Sequence, residues 1–231
     1  MRRLIWLVAV LVAGAPMMAR AQSTGPMSCG TNDPLLMKHD YARAAGDVFT
    51  ANHMEFVRPF AMDGEMKVNV CNGDLRVRTL KDGTEARLSV DVADGGGRAM
   101  LEYIDTIQVT PEHGVINLKF PKGVQGTVTL WMPMGAGSHD EFNLGKGDMD
   151  FNAAGAAGHR EMNVGMGKMT LHVDGDKSYS TMEVNVGLGA MHDERPGGRS
   201  GHFTVTKTFS GTGEGSIEAN VGMGSMEIES D

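Results

Sequence analysis

Apolar and polar residues alternate along much of this chain, and the alternation is interrupted by glycines at recurring offsets. In Glu161-Met162-Asn163-Val164, Met162 and Val164 fall on one side and Glu161 and Asn163 on the other. After Gly165-Met166-Gly167, Met169, Leu171 and Val173 point inward, while Lys168, Thr170 and His172 point out. A period of two is the mark of a half-buried strand. A helix through the same residues would lose about 1 kcal/mol at each glycine.

Five segments align without gaps: Asn69 to Leu75, Asn143 to Met149, Asn163 to Met169, Asn185 to Met191 and Asn220 to Met226. Their common pattern is N-[VL]-G-x-G, with Cys71-Asn72-Gly73 in the first copy, and the last four copies start 20, 22 and 35 residues apart. The spacing predicts an all-β stack of short strands, a β-solenoid with Gly-x-Gly corners at Gly73, Gly145, Gly147, Gly165, Gly167, Gly187, Gly189, Gly222 and Gly224. Stacking in chain order predicts two inward columns, Leu144/Val164/Val186/Val221 and Met149/Met169/Met191/Met226. It also predicts an outer ladder of Asn143, Asn163, Asn185 and Asn220, bonded amide to amide. The longest spacing is expected to hold a loop around Arg195-Pro196-Gly197-Gly198-Arg199. Glu227, Glu229 and Asp231 would then discourage further pairing at the last rung.

Arg87 to Val92, Gly114 to Phe120 and Gly126 to Met132 also read as strands. Helical turns are expected only at Leu35 to Ala45 and Arg98 to Ile104. At the start of the chain, Arg2 and Arg3 precede an apolar run from Leu4 to Ala15, and Ala19-Arg20-Ala21 supplies a small-x-small site. Residues 1–21 are therefore expected to be a signal peptide, 22–50 an extension and 51–231 the repeat domain. The predicted location is periplasmic or extracellular. The run is too short to span about 30 Å of hydrocarbon, and nothing later in the sequence is apolar enough to insert in a membrane.

Removal of Arg2, Arg3 and Arg20 takes the formal charge from -8 to -11, which argues against nucleic acid as a partner. In an oxidising compartment Cys29 and Cys71 are expected to bridge, closing a loop worth about 4 kcal/mol. Neither stands in a C-x-x-C motif, so redox catalysis has no support.

Val68-Asn69-Val70-Cys71-Asn72-Gly73-Asp74-Leu75-Arg76-Val77 resembles the opening strand–NG–strand element of the bacterial "putative adhesin" or toast-rack domain family. Val128-Thr129-Leu130-Trp131-Met132-Pro133 is similar to its central strand, followed by Gly-x-Gly rungs. The resemblance spans residues 50 to 231 and implies a right-handed single-stranded β-solenoid of the cell envelope. It brings no catalytic residues with it.

The Gly-x-Gly repeats do not form a dinucleotide fingerprint, because strands rather than helices follow them and the third glycine is missing. Methionines and eight histidines invite a copper reading, but most methionines hold inward positions, where they fill a core. Met166 and Met223 share their corner position with Lys146 and Leu188, which marks it as exposed. The triplets His139-Asp140-Glu141 and His192-Asp193-Glu194 stand at different offsets from their repeats and are not expected to stack. Asp148 with Asp150, and Glu218 with Glu227, recur as outward carboxylates of the kind glycosidases use. Trp131 is the single tryptophan after the signal, however, and no Ser–His–Asp arrangement appears.

The sequence thus predicts a non-catalytic, adhesin-like module with no cofactor, presenting a repetitive surface to an envelope protein or glycan. A Met/His copper-binding protein is the alternative, and a polysaccharide-active β-helix enzyme a more remote one.

Overall fold

The computed structural model describes residues 38–93, 100–120 and 123–230. The expected signal, Cys29 and the start of the expected extension lie outside them, and so does the expected Cys29–Cys71 bridge. Within the described residues the chain is all-β and contains no α-helix.

In chain order the strands are β1 (Asp40–Tyr41), β2 (Val48–Phe49), β3 (His53–Pro59), β4 (Glu65–Asn72), β5 (Asp74–Thr79), β6 (Glu85–Val92) and β7 (Ile104–Val109). Then come β8 (His113–Leu118), β9 (Gly126–Met132), β10 (His139–Asn152), β11 (His159–Val173), β12 (Thr181–Asp193), β13 (Gly201–Ser210) and β14 (Ser216–Ser230). All fourteen belong to one curled sheet.

The body of the sheet is a parallel stack of bent rungs. β8 with β9 lies on β4 with β5, and these lie on β10. β10 is followed by β11, then β14, then β12. Each rung turns back on itself at its corner, so its two arms enclose the core between them. Phe142 and Phe151, on opposite arms of β10, meet edge to face at 5.2 Å. Both predicted columns are buried and are longer than expected: Val70, Leu144, Val164, Val221, Val186, and Leu75, Met149, Met169, Met226, Met191. Burial of such side chains contributes about 1.5–3 kcal/mol each.

Two features differ from the sequence expectation. The strands are not short: β10, β11, β12 and β14 run 14, 15, 13 and 15 residues through their Gly-x-Gly without a break. The reason lies in the second corner glycine. Gly147, Gly167, Gly224 and Gly189 have φ of 136°, 144°, 139° and 151°, which bends the strand while the ladder continues on both sides. A Cβ on Gly167 would stand 1.8 Å from the Gly147 carbonyl oxygen, so the rungs stack backbone on backbone there.

The rungs also depart from chain order, since the fifth repeat (β14) sits between the third (β11) and the fourth (β12). The 35-residue spacing accounts for this. It holds the predicted loop and then β13, which folds back antiparallel on β12 and occupies its far side. β14 therefore fills the gap on the near side, and the acids at its end do not guard an edge. At the opposite end of the stack, β7, antiparallel to β8, and β1, parallel to β7, extend one arm, and β6, β3 and β2, each antiparallel to its neighbour, extend the other.

The expected helix at Leu35 to Ala45 is not formed in its described part. There β1 pairs with β7, and the Asp47 carboxylate accepts from Ala44 N (2.7 Å), from both Arg58 guanidinium nitrogens (2.7 and 2.9 Å) and from the Tyr41 hydroxyl. Arg58 holds the Asp47 carboxyl well below its usual range, and burial beside that carboxylate pushes the Tyr41 phenol up to about 12. The second expected helix shrinks to a 3-10 turn at Met100–Tyr103.

Candidate functional site

Alternation puts every second residue of the first arm on its outer face, and parallel register aligns these residues into rows. Asn117, Asn69, Asn143, Asn163, Asn220 and Asn185 form one row across all six rungs. Each amide nitrogen after the first donates to its neighbour's oxygen, at 2.6, 2.9, 2.9, 3.0 and 3.0 Å along the row. The predicted ladder of Asn143, Asn163, Asn185 and Asn220 is thus brought together, with Asn220 and Asn185 in exchanged order and Asn69 and Asn117 added. Asn117 escaped the repeat alignment because no Gly-x-Gly follows it.

Two residues before each of the four predicted asparagines stands a glutamate, and Glu141, Glu161, Glu218 and Glu183 make a second row. Each accepts the second amide hydrogen of its own asparagine, at 2.7, 2.8, 3.1 and 3.2 Å respectively. Sequence reasoning missed this row. The signal for it was Glu-x-Asn, present in all four later copies. Carboxylates on adjacent strands stand about 4.8 Å apart. Lys67 closes the row at one end, its ammonium 2.5 Å from Glu141. Burial raises the Glu141 pKa, but Lys67 and the Asn143 amide outweigh it and hold the carboxyl below its usual value. Glu161, Glu218 and Glu183 meet no cation within ion-pair distance among the described residues.

A third row begins each rung. His113 and Glu65 stand 3.6 Å apart, His139 and His159 stack with ring centres at 4.5 Å, and His159 Nδ1 meets the Ser216 hydroxyl at 2.6 Å. Burial, helped by the neighbouring His139, lowers the His159 pKa. Glu65, Lys67, His113, His139 and Glu141 line a shallow concavity of about 220 Å³. No group of three or more His, Cys, Asp or Glu side chains among the described residues has metal-holding geometry.

The second arm's outer face is different, because several of its charges stand in ion pairs. Arg78 grips Asp150 with two nitrogens (2.9 and 2.8 Å), His172 bridges Asp150 and Glu229, and Lys168 pairs with Glu227 at 2.5 Å. The suggested acid pairs are engaged here or divided. Asp150 is held by Arg78, and Glu218 and Glu227 lie on different arms. The His-Asp-Glu triplets are likewise apart, one opening β10 and the other closing β12.

The corner exposes Met166, Met223 and Leu188, as expected, whereas Met149, Met169, Met226 and Met191 are enclosed and their thioethers face no solvent. Cys71 is buried. Asp140 and Arg160 are charged side chains at fully buried, inward positions. Asp140 accepts from Met66 N at 3.0 Å, and Arg160 donates one bond to the Ser178 carbonyl at 3.2 Å. Asp140 Oδ2 and Arg160 Nε and Nη1 are buried without a partner. Burial pushes the Asp140 carboxyl up to about 7, against the pull of Met66 N, Ser138 and Arg160, and it lowers Arg160 to about 10.

No protein family and no curated protein matches the chain by sequence. Among solved structures, one described as a "putative cell adhesion protein" from Clostridium sporogenes is similar over 77% of this chain and 99% of its own, at 14% identity and a TM-score of 0.44.

Proposed function

We propose that this chain is an exported, non-catalytic, adhesin-like interaction module that engages an envelope protein or glycan through the outer face of its first arm. The observation that carries the reading is the fixed array on that face. Six asparagines are bonded in a line, and four glutamates are held beside them by the same amides. Such an array offers repeated acceptors and charge with little ordering left to be lost on binding. We read the bent-strand stack as a variant of the right-handed single-stranded β-solenoid, with its last rung inserted before its fourth.

The test is attachment. Cells displaying the chain are scored for retention on protein-coated and glycan-coated surfaces, beside cells displaying Glu161→Lys/Glu218→Lys. Retention by the parent and its loss in the variant support the reading. Equal retention by both removes the first arm from the interaction. Release of sugars from a polysaccharide by the purified chain overturns the non-catalytic part.

A further inference from the structure

His139 and His159 are register partners on β10 and β11, at the start of the first arm's outer face. Their rings stack with centres 4.5 Å apart. Glu65 stands in line with His139 on the other side, because Lys67 pairs with Glu141 two residues further along both strands. His113 is in turn the register partner of Glu65. Four residues of metal-ligating type thus follow one another on four adjacent strands, and Ser216 comes next after His159.

We propose that His139 and His159 together hold one divalent transition-metal ion of the zinc class through their Nε2 atoms, with water in its remaining positions. Orientation is the first support. His159 Nδ1 lies 2.6 Å from the Ser216 hydroxyl. When that hydroxyl accepts the Nδ1 proton, the ring is held in the tautomer whose Nε2 lone pair is free. A ligating histidine is commonly fixed in this way by a bond at its other nitrogen.

Distance is the second support. Zinc–nitrogen bonds of about 2.0–2.1 Å put the two nitrogens on a tetrahedral ion about 3.4 Å apart. Rings 4.5 Å apart are near enough for side-chain rotation to close the difference, and His139 is exposed. Charge is the third. Glu161 follows His159 by two residues on the same face, with Glu218 as its register partner. Neither meets a cation within ion-pair distance among the described residues, so both favour one nearby. Lys67, which lines the concavity with His139, is committed to Glu141 at 2.5 Å.

The donor type selects the ion. Imidazole suits zinc, copper and nickel, whereas calcium and magnesium take oxygen ligands. The site uses no thioether, which separates it from the Met/His copper reading of the sequence.

The inference goes beyond the attachment reading and stands on different residues, so each can fail without the other. The experiment is calorimetric titration of zinc chloride into the purified full chain, carried without a histidine tag, beside His139→Ala, His159→Ala and His192→Ala. His192 is the internal control, since its ring meets that of His202 edge to face at 6.0 Å. The expected result is one zinc per chain in the parent and in His192→Ala. Each of the other two variants should lose about tenfold or more in affinity, as removal of a ligand costs no less than removal of its orienting partner. Calcium chloride should give no binding at the same concentration. Melting temperatures without metal check that each variant folds. A parent that binds no zinc overturns the proposal. So does binding that survives both His139→Ala and His159→Ala, an equal loss in His192→Ala, or calcium binding as tight as zinc, which would assign the ion to carboxylates. As an independent readout, one equivalent of copper(II) should show paramagnetic-resonance coupling to two imidazole nitrogens in the parent and to one in His159→Ala; coupling unchanged by that substitution counts against the pair.

Discussion

Replacing Gly167 with alanine separates two reasons for a glycine that are easily confused. Gly167 has φ of 144°, a region that residues with a Cβ rarely adopt, at about 1–3 kcal/mol. A Cβ there would also stand 1.8 Å from the Gly147 carbonyl oxygen, so the two rungs must move apart by more than an ångström. That displacement loosens adjacent ladder bonds, at about 1 kcal/mol each. The combined loss is about 4 kcal/mol, or about 8–16 °C in melting temperature for a chain of this size. Gly175 is the internal control. It has φ of 54° and nothing within 4 Å of a Cβ, so Gly175→Ala meets the backbone term alone, about 1–2 kcal/mol. The assay is urea unfolding of both variants beside the parent. Equal losses would refute the collision argument and leave only a preference for positive φ. No loss at Gly167 would refute the stacked corner altogether.

Asn163→Ala removes the donor to Asn143 and the acceptor for Asn220 and frees Glu161; a loss of about 2–3 kcal/mol is expected by urea unfolding, and a neutral result would show that the row is solvated rather than structural. Asp140→Asn addresses pH. The folded carboxyl titrates near 7, above its ordinary 3.8, so the folded state holds this proton more tightly than the unfolded chain does. The group's contribution is therefore fully present below about pH 4 and fades as pH rises through 7, by about 4 kcal/mol at the limit. The variant should gain stability relative to the parent between pH 4 and pH 8, and a pH-independent difference would refute the assignment.

The repeat unit, its inward columns and its asparagine row were legible because each depends only on parity and on like residues at like offsets. The order of the rungs was not. Val164, Val186 and Val221 are identical, as are Met169, Met191 and Met226, so exchanging rungs leaves the contacts within these two columns chemically unchanged. The connections decide the order, and the deciding connection contains β13. The sequence reading did not anticipate that strand, because it lacks Gly-x-Gly and places Lys207 where its own parity asks for an apolar residue. Asp140 and Arg160 defeat the pattern in the opposite way. They share the parity of Phe142 and Met162 and are buried with them, although their charge reads as surface. The Glu row was visible as Glu-x-Asn but has no consequence until the asparagine amide is seen to spend its second hydrogen there.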